Sequence, residues 1–134
     1  MLRFCRPAAL LCLLAVVTIG CSSQPRVFEL RTYTAADGRL DDLNARFRDH
    51  TCPIFERHGM EMIGFWTPTD GDKADNTLIY LLAFPSRDAA KASWQAFFED
   101  PDWKAVRKAS VANGPLVTQV ESEFLTATDY SATK

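Results

Sequence analysis

The chain has 134 residues, the size of one domain, with 47% hydrophobic and 24% charged residues, an ordinary balance for a globular protein. Seventeen acidic residues against fifteen basic ones give a net charge of −2; without residues 1–20, which carry Arg3 and Arg6 and no acid, it becomes −4. A mildly acidic domain is a poor electrostatic match for phosphate backbones, so nucleic acid is set aside as a partner.

Arg3 and Arg6 form a positive start, and the 13 residues from Ala8 to Gly20 are almost wholly apolar. That length suits the core of an export signal, whereas a spanning helix needs about 20 apolar residues. Residues 1–20 are therefore expected to be a signal peptide. Thr18-Ile19-Gly20-Cys21 resembles a bacterial lipobox, although Leu is more usual where Thr18 stands. The resemblance implies acylation of Cys21, a membrane anchor through that lipid, and a tether over residues 21–26. The serine after the cysteine favours the outer membrane. The alternative is a soluble periplasmic or secreted protein cut near Ser23. Cys5, Cys12 and Cys21 belong to this segment, so Cys52 alone lies in the domain and no internal disulfide is possible there.

The domain is expected over residues 27–126. Val27–Thr34 alternates, with Phe28, Leu30 and Thr32 on one side and Val27, Glu29, Arg31 and Tyr33 on the other, which is a strand. Asp37 can cap the helix that follows. From Arg39 to His58 the apolar residues Leu40, Leu43, Phe47 and Ile54 recur at helical spacing; Pro53 should kink or split this helix and Gly59 should end it. Met60–Thr67 reads as a second strand and Pro68–Asp75 as a loop. Asn76–Phe84 is a third strand, apolar on both faces and so central. Ser86 should cap a helix burying Ala90, Trp94, Phe97 and Phe98; Asp100-Pro101 should start a shorter one carrying Trp103 and Val106. Val117–Thr126 alternates as a fourth strand, and residues 127–134 form a polar tail expected to fray.

The order β-α-β-β-α-β predicts an α+β, ferredoxin-like domain with a four-stranded antiparallel sheet in the order 4-1-3-2 and helices on one face. The other face is too apolar for water, so two copies should pack sheet to sheet as a homodimer.

Val27-Phe28-Glu29-Leu30-Arg31-Thr32-Tyr33-Thr34, Pro53-Ile54-Phe55-Glu56-Arg57-His58-Gly59, Gly64-Phe65-Trp66, Asp100-Pro101-Asp102-Trp103 and the strand start Leu116–Glu121 resemble, in order, blocks of the NIPSNAP family. The resemblance covers about residues 27–126. It implies a dimeric α+β barrel, and it implies no particular activity. Members often carry a histidine in the third strand where this chain has Tyr80, so chemistry needing an imidazole there loses its residue.

Glu29, Arg31 and Tyr33 share one side of a central strand, Tyr80 lies on the next, and Gln119, Glu121 and Glu123 share one side of the fourth. If these sides meet, they form a site for a small polar or anionic ligand with Arg31 as the anion partner, or an ion-pair network that fixes the fold. His50, three residues after Phe47, could face the sheet. His58 sits at a helix C-terminus, and Cys52 reads as a small apolar filler. Two histidines eight apart do not make a metal site, and no phosphate loop, nucleophile elbow or nucleotide fingerprint is present, so no metal or cofactor is expected. Two functions remain: a small-ligand-binding or interaction module of the cell envelope, and a small cofactor-independent enzyme of the monooxygenase or isomerase type acting on a hydrophobic or aromatic molecule.

Overall fold

The computed structural model describes residues 25–134; the expected signal peptide and the expected acylation position, Cys21, lie outside the described residues. The elements are β1 (Val27–Ala35), α1 (Leu40–Arg46), a π-helical turn (Phe47–Thr51), α2 (Cys52–Arg57), β2 (Glu61–Trp66), β3 (Thr77–Phe84), α3 (Arg87–Glu99), α4 (Pro101–Ser110) and β4 (Val117–Thr126). The strands form one antiparallel sheet in the order β2-β3-β1-β4, the expected 4-1-3-2 order seen from its other edge. The domain is α+β and ferredoxin-like, with β1 and β3 at the centre.

Pro53 acts as expected, but through an unusual device. It has no N–H to give to Asp49, and its ring crowds that carbonyl. The turn before it widens, so that the Cys52 N–H donates to the Phe47 carbonyl at π spacing. The helix ends in a Schellman motif: Gly59 at φ 70°, with the Met60 N–H donating to the Phe55 carbonyl at 3.0 Å and the Gly59 N–H to the Glu56 carbonyl at 3.0 Å. Ser86 caps α3, its hydroxyl accepting from the Ala89 N–H at 3.1 Å. The Asp37 cap is not made. Arg39 holds the N-cap position of α1 without a side-chain cap, and its Nε donates to Asp42 at 2.6 Å.

Helices cover one face of the sheet. Tyr80, Leu82 and Phe84 of β3 pack there against Leu43, Phe47, Ile54, Phe55, Ala90 and Phe97. On the other face, Phe28, Leu30 and Thr32 of β1 stand beside Ala83, Leu81 and Ile79 of β3 and beside Leu125, Glu123 and Glu121 of β4. Among the described residues no helix covers this side, and Trp66, which pairs with Ile79, is 52% exposed. Gly64 makes room for Trp66: a Cβ at residue 64 would sit 2.6 Å from the indole.

The tail, residues 127–134, has no helix or strand. It turns back at Thr128–Ser131, where the Ser131 N–H donates to the Thr128 carbonyl at 3.1 Å, and closes over the Phe28 end of the open face with Leu81 and Leu125. Arg26 ties both ends down, donating to the Lys134 carbonyl at 3.2 Å and pairing with Glu61 at 2.8 Å.

Candidate functional site

The alternation of β1 separates two sets of side chains without saying which one meets the helices. The polar set does. Glu29 is 2% exposed and accepts three hydrogen bonds: from Arg31 Nη1 at 2.7 Å, from the Ser122 hydroxyl at 2.7 Å and from the Trp94 indole N–H at 2.6 Å. Arg31 lies over the Trp94 ring, 4.4 Å from its centroid, and Nη2 reaches the Tyr33 hydroxyl at 3.3 Å. Tyr80 is the cross-strand partner of Arg31 and is fully buried; its ring centroid lies 5.4 Å from Tyr33 and 5.2 Å from Phe47.

Glu29, Arg31, Tyr33 and Tyr80 therefore come together, and the structure adds Trp94 and Ser122. Trp94 gives no sequence signal beyond that of a core aromatic. Ser122 needs the β1–β4 register, which the sequence does not print.

Gln119 and Glu121 do not join them. They stand opposite Thr34 and Thr32, on the open face of the sheet, and Gln119 Nε2 donates to Glu121 at 2.7 Å. A β-bulge sets this register: Ala35 pairs with Val117 but Thr34 with Gln119, so Thr118 is the extra residue. His50 does not face the sheet either. Three residues after Phe47 is the same side in an α-helix, but the π turn is wider and carries His50 out to an exposed position.

The site is rich in donors. Burial works against the Arg31 cation, but the Tyr80 and Tyr33 phenols and the hydrogen bond to Glu29 outweigh it and raise its pKa. Burial, and then the neighbouring Tyr33, push the Tyr80 phenol well up, so it stays protonated and keeps a proton to donate. Its hydroxyl lies beside Tyr33 and Arg31 but has no well-aligned partner among the described residues, and the same holds for Arg31 Nε. Exposed residues flank the cluster on the β4 side: Val120, which pairs with Tyr33, is 45% exposed, and Ser122 is exposed as well. Burial raises the pKa of Cys52, as suits a half-buried filler that packs on the core.

A second polar cluster ties α2 to α4. Asp100 accepts from His58 Nε2 and from Arg57 Nη2, both at 2.7 Å, while its other oxygen caps α4 by accepting from the Asp102 N–H at 2.8 Å. The His58 and Arg57 hydrogen bonds hold the Asp100 carboxyl far below the usual carboxylate range. A depressed folded-state pKa stabilises above the unfolded value and is lost as pH falls towards the folded one. Thermal stability should therefore fall as pH drops below about 5. Asp100→Asn, which keeps a capping oxygen, should lower Tm at neutral pH and flatten that acid fall. Melting curves across this pH range check both effects.

The NIPSNAP family profile matches residues 28–132. No curated sequence matches the chain. Among solved structures, a NIPSNAP family protein from Agrobacterium tumefaciens is 20% identical with a TM-score of 0.72, covering 81% of this chain and 99% of that one. A NIPSNAP domain protein from Burkholderia xenovorans is 22% identical with a TM-score of 0.68, covering 78% and 97%. SnoaB, a cofactor-independent oxygenase from Streptomyces nogalater, in a mutant form, is 18% identical with a TM-score of 0.55, covering 83% and 100%. These likenesses show a shared fold, and with the profile spanning most of the domain, the chain belongs to the NIPSNAP family.

Proposed function

We propose that the chain is an exported, lipid-anchored protein of the cell envelope whose folded domain works as a homodimeric small-ligand-binding module. Export and acylation at Cys21 rest on the basic start, the apolar run to Gly20 and the lipobox-like Thr18–Cys21. The dimer rests on the apolar sheet face around Leu30, Trp66 and Ile79, which no helix covers among the described residues.

One observation carries the binding reading: the buried Tyr80 hydroxyl and Arg31 Nε have no partner among the described residues, in a cluster flanked by exposed residues of β4. Buried donors are nearly always satisfied. A guanidinium and phenolic donors framed by aromatic rings suit a small aromatic acid. The catalytic alternative, of the kind SnoaB's description names, shares the fold but needs a base. Glu29 is engaged by three donors and Glu121 lies on the opposite face, so neither is placed to take a proton from a molecule held by Arg31.

Benzoate is a direct probe, because Trp94 stacks on Arg31 and its fluorescence reports on that cluster. Titrating the full chain in detergent should give a saturable change. Tyr80→Phe should weaken binding about tenfold, the loss of one buried hydrogen bond, while leaving Tm unchanged or slightly raised. A fluorescence change that does not saturate, or equal binding by Tyr80→Phe, would refute the reading.

A further inference from the structure

A second cationic feature lies on the far side of the helical layer. Arg46 ends α1 and is only 9% exposed. Its guanidinium carbon sits 5.6 Å from the Phe47 ring centroid and 5.2 Å from that of Trp103. Nη1 donates to the Ser110 hydroxyl at 3.3 Å, and that hydroxyl in turn donates to the Arg107 carbonyl at 2.9 Å, so Ser110 orients Arg46 and has no proton left to offer. Arg46 Nε has no partner among the described residues, and Arg46 makes no ion pair there. A charge this buried is normally paired. Burial, joined by the positive charge of Arg107 and partly opposed by the Tyr33 and Tyr80 phenols, lowers its pKa.

Arg46 lines a groove of about 530 Å³ between the α1–π segment and α4. Ala45, Ala105 and Ala109 keep the walls low, and His50, turned outwards by the π turn, stands beside Asp49 at the groove. A π turn inside a helix often accompanies a functional site. A nine-tenths buried cation thus stands in the wall of a concave surface, with Asp49 as the acidic residue of its lining.

We propose that this groove binds a compact oxyanion, a phosphate or carboxylate group, which pairs with the free edge of the Arg46 guanidinium. Arg107, close enough to act on Arg46, adds positive potential nearby, and Asp49 opposes it. The site is separate from the Arg31 cluster, which lies on the sheet side of the same helices.

The test is a titration of isotope-labelled full chain in detergent with inorganic phosphate, against chloride at equal ionic strength, read by amide chemical shifts. The expected result is saturable shifts confined to Ala45, Ala105, Ala109 and Ser110, with a Kd of about 1–10 mM. Arg46→Gln should abolish them. Should that variant fail to fold, two surface variants still decide: Arg107→Ala should weaken binding about threefold and Asp49→Asn should tighten it about threefold, in keeping with single partly screened charges. Shifts that chloride reproduces, shifts scattered over surface lysines, or an Asp49→Asn affinity equal to that of the unaltered chain would overturn the proposal. A merely structural Arg46 gives no reason for Asp49→Asn to tighten phosphate binding. Benzoate shifts at Val120 and Ser122 would report the other site, so either site can fail without the other.

Discussion

Glu29→Ala is expected to destabilise the domain by about 3–5 kcal/mol, because it leaves the largely buried Arg31 guanidinium without its carboxylate. It also strips the Trp94 indole N–H and the Ser122 hydroxyl of their acceptor. A domain of this size is stable by only about 5–15 kcal/mol, so this one change removes a large share of the margin. The penalty comes from breaking the pair rather than from the pair's own strength. Replacing both partners with apolar residues, as in Glu29→Leu with Arg31→Met, should therefore recover the part of the loss that the unpaired guanidinium causes, while the Trp94 and Ser122 donors stay without their acceptor. Urea denaturation of the two variants separates these effects. A double variant as unstable as Glu29→Ala would mean that the loss comes from the Trp94 and Ser122 hydrogen bonds to Glu29 rather than from the unpaired guanidinium.

Ile79→Asp is expected to abolish dimerisation while the protomer stays folded. Ile79 lies on the uncovered face of a central strand, between Thr32 and Trp66. In a lone protomer an aspartate there meets water. In a sheet-to-sheet dimer each copy would bury an unpaired carboxylate. A penalty of several kcal/mol per copy weakens the dimer by about a thousandfold or more. Sedimentation velocity reads the change in mass, and circular dichroism confirms that the protomer remains folded. The tail reaches the Phe28 end of this face, away from Ile79, so the substitution leaves the contacts of residues 127–134 in place.

The fold was legible because local signals agreed with one another. Period-two alternation marked β1 and β4, an apolar run marked β3 as central, and Ser86 and Asp100-Pro101 opened α3 and α4 where capping chemistry places them. The candidate site was half legible. Glu29, Arg31 and Tyr33 had to share a side, but the side that meets the helices is settled by packing. It is the polar one, because Trp94 and Ser122 supply the donors that make its burial tolerable. What failed did so through single-residue offsets. One extra residue at Thr118 sets which side of β4 Gln119 and Glu121 occupy, and one wide turn ahead of Pro53 moves His50 from the sheet to the surface. Offsets of this kind change no composition and little periodicity, yet each reverses the direction in which a side chain points. Arg46 left no mark in the sequence at all, since its burial depends on α4 lying across it.

The central claim, an anchored homodimer, is tested most directly by native mass spectrometry of the protein extracted from its own envelope. The expected mass is that of two chains, each beginning at Cys21 and carrying lipid. The mass of a single chain, whatever its N-terminus, would contradict it.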